Sequence, residues 1–150
     1  MGQGNRGTDR ERPTARRNRP WRSRSSRWLL LPPDPTVVRR ARGLVEDVCR
    51  AADLDEETCR TAVLLASETV TNAVVHARGD ATLEVSAGEG LVLVEVGDED
   101  DRRPGPVDRD PQAQDGRGLE IVRMLSRRWG VRDDPPGKVV WFEVGTPLSA

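Results

Sequence analysis

At Arg78-Gly79-Asp80 the hydrophobic period of this 150-residue chain changes, and no other feature constrains its fold as much. Upstream, Val38, Ala41, Leu44, Val45, Val48 and Ala52 recur at the three- and four-residue spacing of one helical face. A second stripe of Ala62, Leu65, Ala66, Thr69, Val70, Ala73 and Val74 runs to about Ala77. Downstream the period is two: residues 81–87 and 91–96 flank Gly88-Glu89-Gly90 and predict a β-hairpin. Asp34 before Pro35 fits an N-cap and first helical position, because proline's missing donor is harmless there. The second helix is expected to start at Asp55, with Glu56 and Glu57 at its positive end.

The remaining elements follow from local signals. Trp28-Leu29-Leu30-Leu31 predicts a short strand stopped by Pro32-Pro33. A third helix is expected from Arg117–Gly118, burying Leu119, Ile121, Val122 and Leu125. Residues 128–132 and 138–144 predict a second hairpin across 133–137. Residues 97–116 are rich in Asp, Arg, Pro and Gly and show no period, and a loop that long in a compact domain marks a functional lid. The order β-α-α-β-β-lid-α-β-β implies an α/β two-layer sandwich, with a mixed, mostly antiparallel sheet and its helices on one face.

The net charge of -1 conceals a split. Residues 1–28 carry nine arginines against Asp9 and Glu11, whereas residues 29–150 carry 15 basic and 23 acidic groups. Residues 1–27 read as a disordered arginine-rich tail, 28–146 as one domain and 147–150 as a short C-terminal tail. Trp21 and Trp28 among those arginines are a weak base-stacking signal, and direct nucleic-acid binding is not expected. No apolar run approaches the roughly 18 residues of a membrane span. Cys49 and Cys59 lack metal-ligand spacing and, as a lone pair of thiols, suit a reduced, cytoplasmic setting. Arg16-Arg17 is followed by Asn18, Arg19 and Pro20 rather than an apolar stretch, so export is not expected.

Gly2-Gln3-Gly4-Asn5-Arg6-Gly7 matches a dinucleotide-binding pattern in letters only, with no strand before it or helix after it. A stronger signal lies on the second helix. Glu68, Asn72 and His76 are four residues apart, a rise of about 6 Å and a drift of about 40° per step. They form one slanting polar ridge on an otherwise apolar helix, as expected where a helix edge faces a cleft. Asp98 lies at the end of the 91–96 strand, beside the lid. Gly116-Arg117-Gly118-Leu119 opens the third helix, where glycine-lined backbone N–H groups suit phosphate.

Glu-xxx-Asn on a helix, Asp after a strand, a long lid and Gly-x-Gly-Leu at a helix start resemble the GHKL ATP-binding fold. Leu-Leu-Leu-Pro, Val-Arg-Arg-Ala-Arg and Gly-Lys-Val-Val-Trp-Phe-Glu are most similar to the anti-sigma regulatory serine/threonine kinases. The resemblance implies ATP and Mg²⁺ as cofactors, with Asn72 as the metal ligand and Glu68 as general base toward an acceptor hydroxyl. Asp98 would take the adenine amino group, and Gly116, Arg117, Gly118 and Leu119 would border the phosphates. It further implies a STAS-type anti-anti-sigma substrate, a sigma-factor partner and a homodimer. His76 is expected to be structural. One departure stands out: the family's Asp-x-Gly-x-Gly reads here Asp98-Glu99-Asp100-Asp101-Arg102. That loss leaves a binding-only regulator as the alternative.

Overall fold

The computed structural model describes residues 19–76, 79–98, 114–135 and 137–148. The chain runs β1 (Ser25–Leu31), α1 (Val37–Ala51), α2 (Glu56–His76), β2 (Ala81–Gly88), β3 (Leu91–Asp98), α3 (Gln114–Leu125), β4 (Arg128–Asp134) and β5 (Gly137–Gly145). The five strands lie in the order β1-β2-β3-β5-β4. Every neighbouring pair is antiparallel, so the sheet is not mixed as expected. The two hairpins, β2–β3 and β4–β5, supply two of these pairings locally, and the longer connections bring β1 and β5 back in the same sense.

Two element boundaries differ from the sequence expectation. β1 begins at Ser25 rather than Trp28, because pairing with β2 extends it to Ser25 opposite Ala87. Residues 19–24 precede it as a packed strap rather than tail, held by Arg24 N–H to Ala87 O at 2.8 Å. α3 begins at Gln114, three residues before Arg117, so the glycine box lies inside its first turns. The intervening segment 99–113, most of the expected lid, lies outside the described residues, as do residues 1–18.

The expected N-cap at Asp34 is displaced by two residues, because α1 begins at Val37 with Thr36 at the cap position and no side-chain cap bond. Asp34 closes a local turn instead, whereas α2 starts beside Asp55 as expected. The Asp34 carboxylate accepts the Thr36 N–H at 3.0 Å, while Val37 N–H closes a tight turn on Asp34 O before regular α1 begins. Asp55 accepts the Thr58 N–H at 3.0 Å, satisfying one orphan donor at the start of α2. Donation from Thr36 and from Thr58 holds these two carboxyls below the usual carboxylate range.

Strand parity sorts the sheet into two unlike faces. Leu83, Val85 and Ala87 of β2, Val92, Val94 and Val96 of β3, and Phe142 and Val144 of β5 share one face. They form a single core with Val45 and Val48 of α1, Leu65 and Val70 of α2, and Val122 of α3. The opposite face carries Glu84, Ser86, Leu93, Glu95 and Glu143, all buried although outside that core. They are covered by side chains laid flat rather than by a helix. Glu143, 1% exposed, accepts Trp21 Nε1 at 2.9 Å and Arg128 Nη2 at 2.9 Å, and Arg132 Nη2 reaches Glu95 at 3.1 Å. Trp141 lies across β4 at Gly130, where an added Cβ would sit 2.8 Å from its ring, and the Arg128 guanidinium covers the same ring at 5.7 Å.

Gly130→Val is expected to lift Trp141 off the sheet and cost about 1–3 kcal/mol, read as a lower urea midpoint with an unchanged slope. The Asp34 and Asp55 carboxyls titrate lower folded than unfolded, so their stabilisation is complete above about pH 4 and is lost as pH falls through the folded values. Unfolding followed against pH should therefore show a loss of stability in acid that is shallower in Asp55→Ala.

Candidate nucleotide-binding site

α2 buries Ala62, Leu65, Ala66, Thr69, Val70 and Val74 as one stripe, and the polar ridge runs along its flank. Glu68 and Asn72 are both half-buried, intermediate between that stripe and the exposed Leu64 and Val75. Thr69 and Thr71 do not add side-chain donors to the ridge, since each hydroxyl donates back to the carbonyl four residues earlier, Leu65 O at 2.7 Å and Ser67 O at 2.6 Å. His76, expected to be structural, ends α2, and its side chain lies outside the described residues.

Register then fixes which end of the sheet these groups share. Asp98 is the last residue of β3, not a residue beyond it, and pairs with Ala81 on one side and Lys138 on the other. Ala81 follows the C-terminus of α2 by five residues, which brings the Asn72 end of that helix to the Asp98 end of the sheet. The C-terminus of α3 leads through two residues into Arg128, which lies opposite Glu143 and toward the other end. The first turns of α3, with Gly116, Arg117, Gly118 and Leu119, therefore point back toward Asp98. Parity places Asp98 on the same face as Val92, Val94 and Val96, the face that the helices cover. Leu119 is half-buried, while the side chains of residues 114–118 lie outside the described residues.

One residue was undervalued from sequence. Lys138, the lone lysine of the chain, reads there as a hairpin end. The register sets it directly opposite Asp98 on the same face, as a cross-strand pair of opposite charge, and it is half-buried. Counting parity from Phe142 back to Lys138 and from Val96 on to Asp98 would have found it. Gly97, between Val96 and Asp98, packs its Cα against Thr82, where a Cβ would fall 2.5 Å from Oγ1. That contact holds β3 close to β2 next to the candidate site. The residues after Asp98 that replace the family's glycines, Glu99 to Arg102, lie outside the described residues.

These groups suit a nucleotide chemically. A carboxylate at a strand end can accept a base amino proton, an amide oxygen on a half-buried ridge can ligate a hard cation, and helix N-terminal donors accept phosphate. Among the described residues no cluster of three His, Cys, Asp or Glu is placed to hold a metal ion.

The profile of the Histidine kinase-like ATPase domain matches residues 31–144, and the chain belongs to this family. Its fold is similar to the RsbU and RsbW domains of Rv1364c from Mycobacterium tuberculosis, with 18% identity and a TM-score of 0.62 over 82% of this chain and 33% of that one. It is also similar to a chain of the SiaB-SiaC complex from Pseudomonas aeruginosa, with 14% identity and a TM-score of 0.57 over 93% of this chain and 99% of that one. The chain thus spans about a third of the length of the Rv1364c structure. No curated protein sequence matches it. No helix among the described residues is long and apolar enough to cross a membrane.

Asn72→Ala is expected to abolish Mg²⁺-dependent ATP binding while leaving thermal unfolding within about 0.5 kcal/mol, because a half-buried flank residue supports little of the core. Calorimetric titration beside a melting curve checks both halves, and unchanged ATP affinity would remove Asn72 from the site.

Proposed function

We propose that the chain is an ATP-binding regulatory protein serine/threonine kinase that phosphorylates a serine of a small anti-anti-sigma partner and sequesters a sigma factor. The observation that carries this reading is the pairing of Asp98 with Lys138 on the helix-covered face, at the end of the sheet to which the Asn72 end of α2 leads. Membership of the ATPase-domain family supports the nucleotide. The likeness to a structure containing an RsbW domain, and to one solved as a complex of SiaB with SiaC, supports a protein partner.

Bound Mg-ATP supplies the transferable phosphoryl group and the divalent charge that offsets its oxygens. In this reading Asn72 would hold the cation through its amide oxygen, and Asp98 would select adenine by accepting its amino proton. The backbone N–H of Gly116 in the first turn of α3 would bind a phosphate oxygen, with the α3 dipole adding about 0.3–2 kcal/mol, and Gly118, two residues further in, would leave room for it beside the helix. Glu68, one helical step from Asn72, would orient the acceptor hydroxyl and take its proton. Lys138 would help position Asp98 across the β3–β5 ladder. A homodimer and a cytoplasmic location belong to the same proposal.

A second reading has one specific observation in its favour. Glu99, Asp100, Asp101 and Arg102 stand where family members carry two glycines. Three added carboxylates repel phosphate, so a regulator that binds partners without transferring phosphate is the alternative.

The separating experiment titrates ATP with and without Mg²⁺ into the wild type, Asp98→Ala and Glu68→Gln. The kinase reading expects saturable Mg²⁺-dependent binding that Asp98→Ala loses and Glu68→Gln keeps, with phosphotransfer to a partner serine falling about 100-fold or more in Glu68→Gln. Absence of binding at millimolar ATP would favour the regulator.

A further inference from the structure

α1 starts after β1 with five residues between them, yet Asp47, near its far end, lies 3.8 Å from Arg27 in the middle of that strand. The helix therefore runs back alongside β1, which is an edge strand of the sheet. Arg24 precedes Arg27 by three residues, about 10 Å along an extended chain. Arg40 precedes Asp47 by two helical turns, on the same side of α1 and about 10 Å along its axis. Strand and helix run in opposite senses, so Arg24, Arg27 and Arg40 mark out an edge about 20 Å long. Arg22 lies beyond Arg24, where its N–H donates to Glu89 at 2.7 Å, and Arg39 and Arg42 flank Arg40 in the first turns of α1.

All six arginines are exposed. Arg27 faces Asp47 in a solvated pair, and among the described residues Arg22, Arg24, Arg39, Arg40 and Arg42 make no side-chain ion pair. Residues 19–50 carry eight arginines against Asp34, Glu46 and Asp47, whereas residues 51–150 carry 11 basic and 20 acidic groups. The fold thus gathers positive charge along one edge of an otherwise acidic domain. Apolar surface is gathered elsewhere. Among the described residues Leu30 is the one large apolar side chain exposed on this edge, and the others lie on α2, α3, β4 and the C-terminal end.

We infer that the β1–α1 edge binds duplex DNA through its phosphates, without reading sequence. A protein interface needs an apolar centre inside its polar rim, and a membrane surface needs apolar side chains to insert, whereas this edge offers Leu30 alone. A polyanion needs neither, because release of condensed counterions drives its association. The length of the edge, about 20 Å, matches the axial rise of about six base pairs. Arginine's planar fork suits phosphate oxygens. Single strands are held largely by stacking on aromatic rings, and the nearby indoles are poorly placed for it. Trp21 and Trp28 are half-buried, and Arg19 already covers Trp21 at 5.4 Å from its ring centroid. Direct nucleic-acid binding is not expected from the sequence, because these arginines share an edge only once α1 folds back along β1. Binding here needs no ATP.

The test is fluorescence anisotropy of two labelled duplexes of unrelated sequence, each of about 20 base pairs, titrated with the full chain between about 50 and 200 mM KCl. Both are expected to bind alike, with log K falling steeply against log salt. Arg24→Ala, Arg39→Ala and Arg40→Ala combined, all at exposed positions that spare the fold, should lower that slope by about 3. Arg40→Lys, which keeps the charge, and Arg123→Ala, in the exposed last turn of α3, should leave it unchanged. The inference is overturned if no duplex binds at the lowest salt. Residues 1–18 carry five further arginines, so a slope that the triple variant leaves intact would put the DNA there and overturn it as well. Tighter binding of a single strand of the same length, or displacement by polyglutamate at equal charge concentration, would equally overturn it, the latter marking an acidic protein as the occupant.

Discussion

The β2–β3–β5 register is the constraint on which everything else in this molecule depends. Because side chains alternate faces, a one-residue slip of β3 against β2 would turn Val92, Val94 and Val96 out of the core and bring Glu95 beneath the helices. The same slip would carry Asp98 to the wrong face and part it from Lys138. Packing and site are thus set by one alignment. Gly97 against Thr82 and the two hairpin turns hold it at either end of the ladder.

Unusually for a sheet with helices on one face, its central strands are buried on both. The outer side is closed by carboxylates under arginine and tryptophan. Breaking such buried pairs one partner at a time is costly, since the remaining charge stays in a dry place. Glu143 accepts from Trp21 and Arg128, and Arg127 lies within 3.4 Å of it, so the strap, β4 and β5 meet on one side chain. This arrangement leaves the outer face of the central strands polar in chemistry yet shielded by side chains, and it ties the strap 19–24 to an otherwise acidic domain.

The two cysteines illustrate how packing decides chemistry that composition leaves open. Cys49 on α1 is buried in the core, and burial pushes its thiol well up; Cys59 on α2 is half-buried and is also raised, chiefly by desolvation. Both are free thiols. As protonated thiols they act as small apolar groups at the α1–α2 contact rather than as nucleophiles.

Much of this protein was legible in the residues themselves. Hydrophobic period determined five strands and three helices, because an apolar stripe must face a core whatever its partners are. The helix start at Asp55 was local and therefore visible, and the Glu68–Asn72 ridge was visible because four residues always make one step along a helix. What only the tertiary structure decided was long-range pairing. Extension of β1 to Ser25 depends on Ala87, 62 positions away in the chain, and Lys138 gains a role only by facing Asp98. Trp21, Trp28 and Glu84 share a cavity because the strap folds back across the sheet. Period and capping act over a few residues, whereas register is a property of two strands together, and no single strand's pattern contains it.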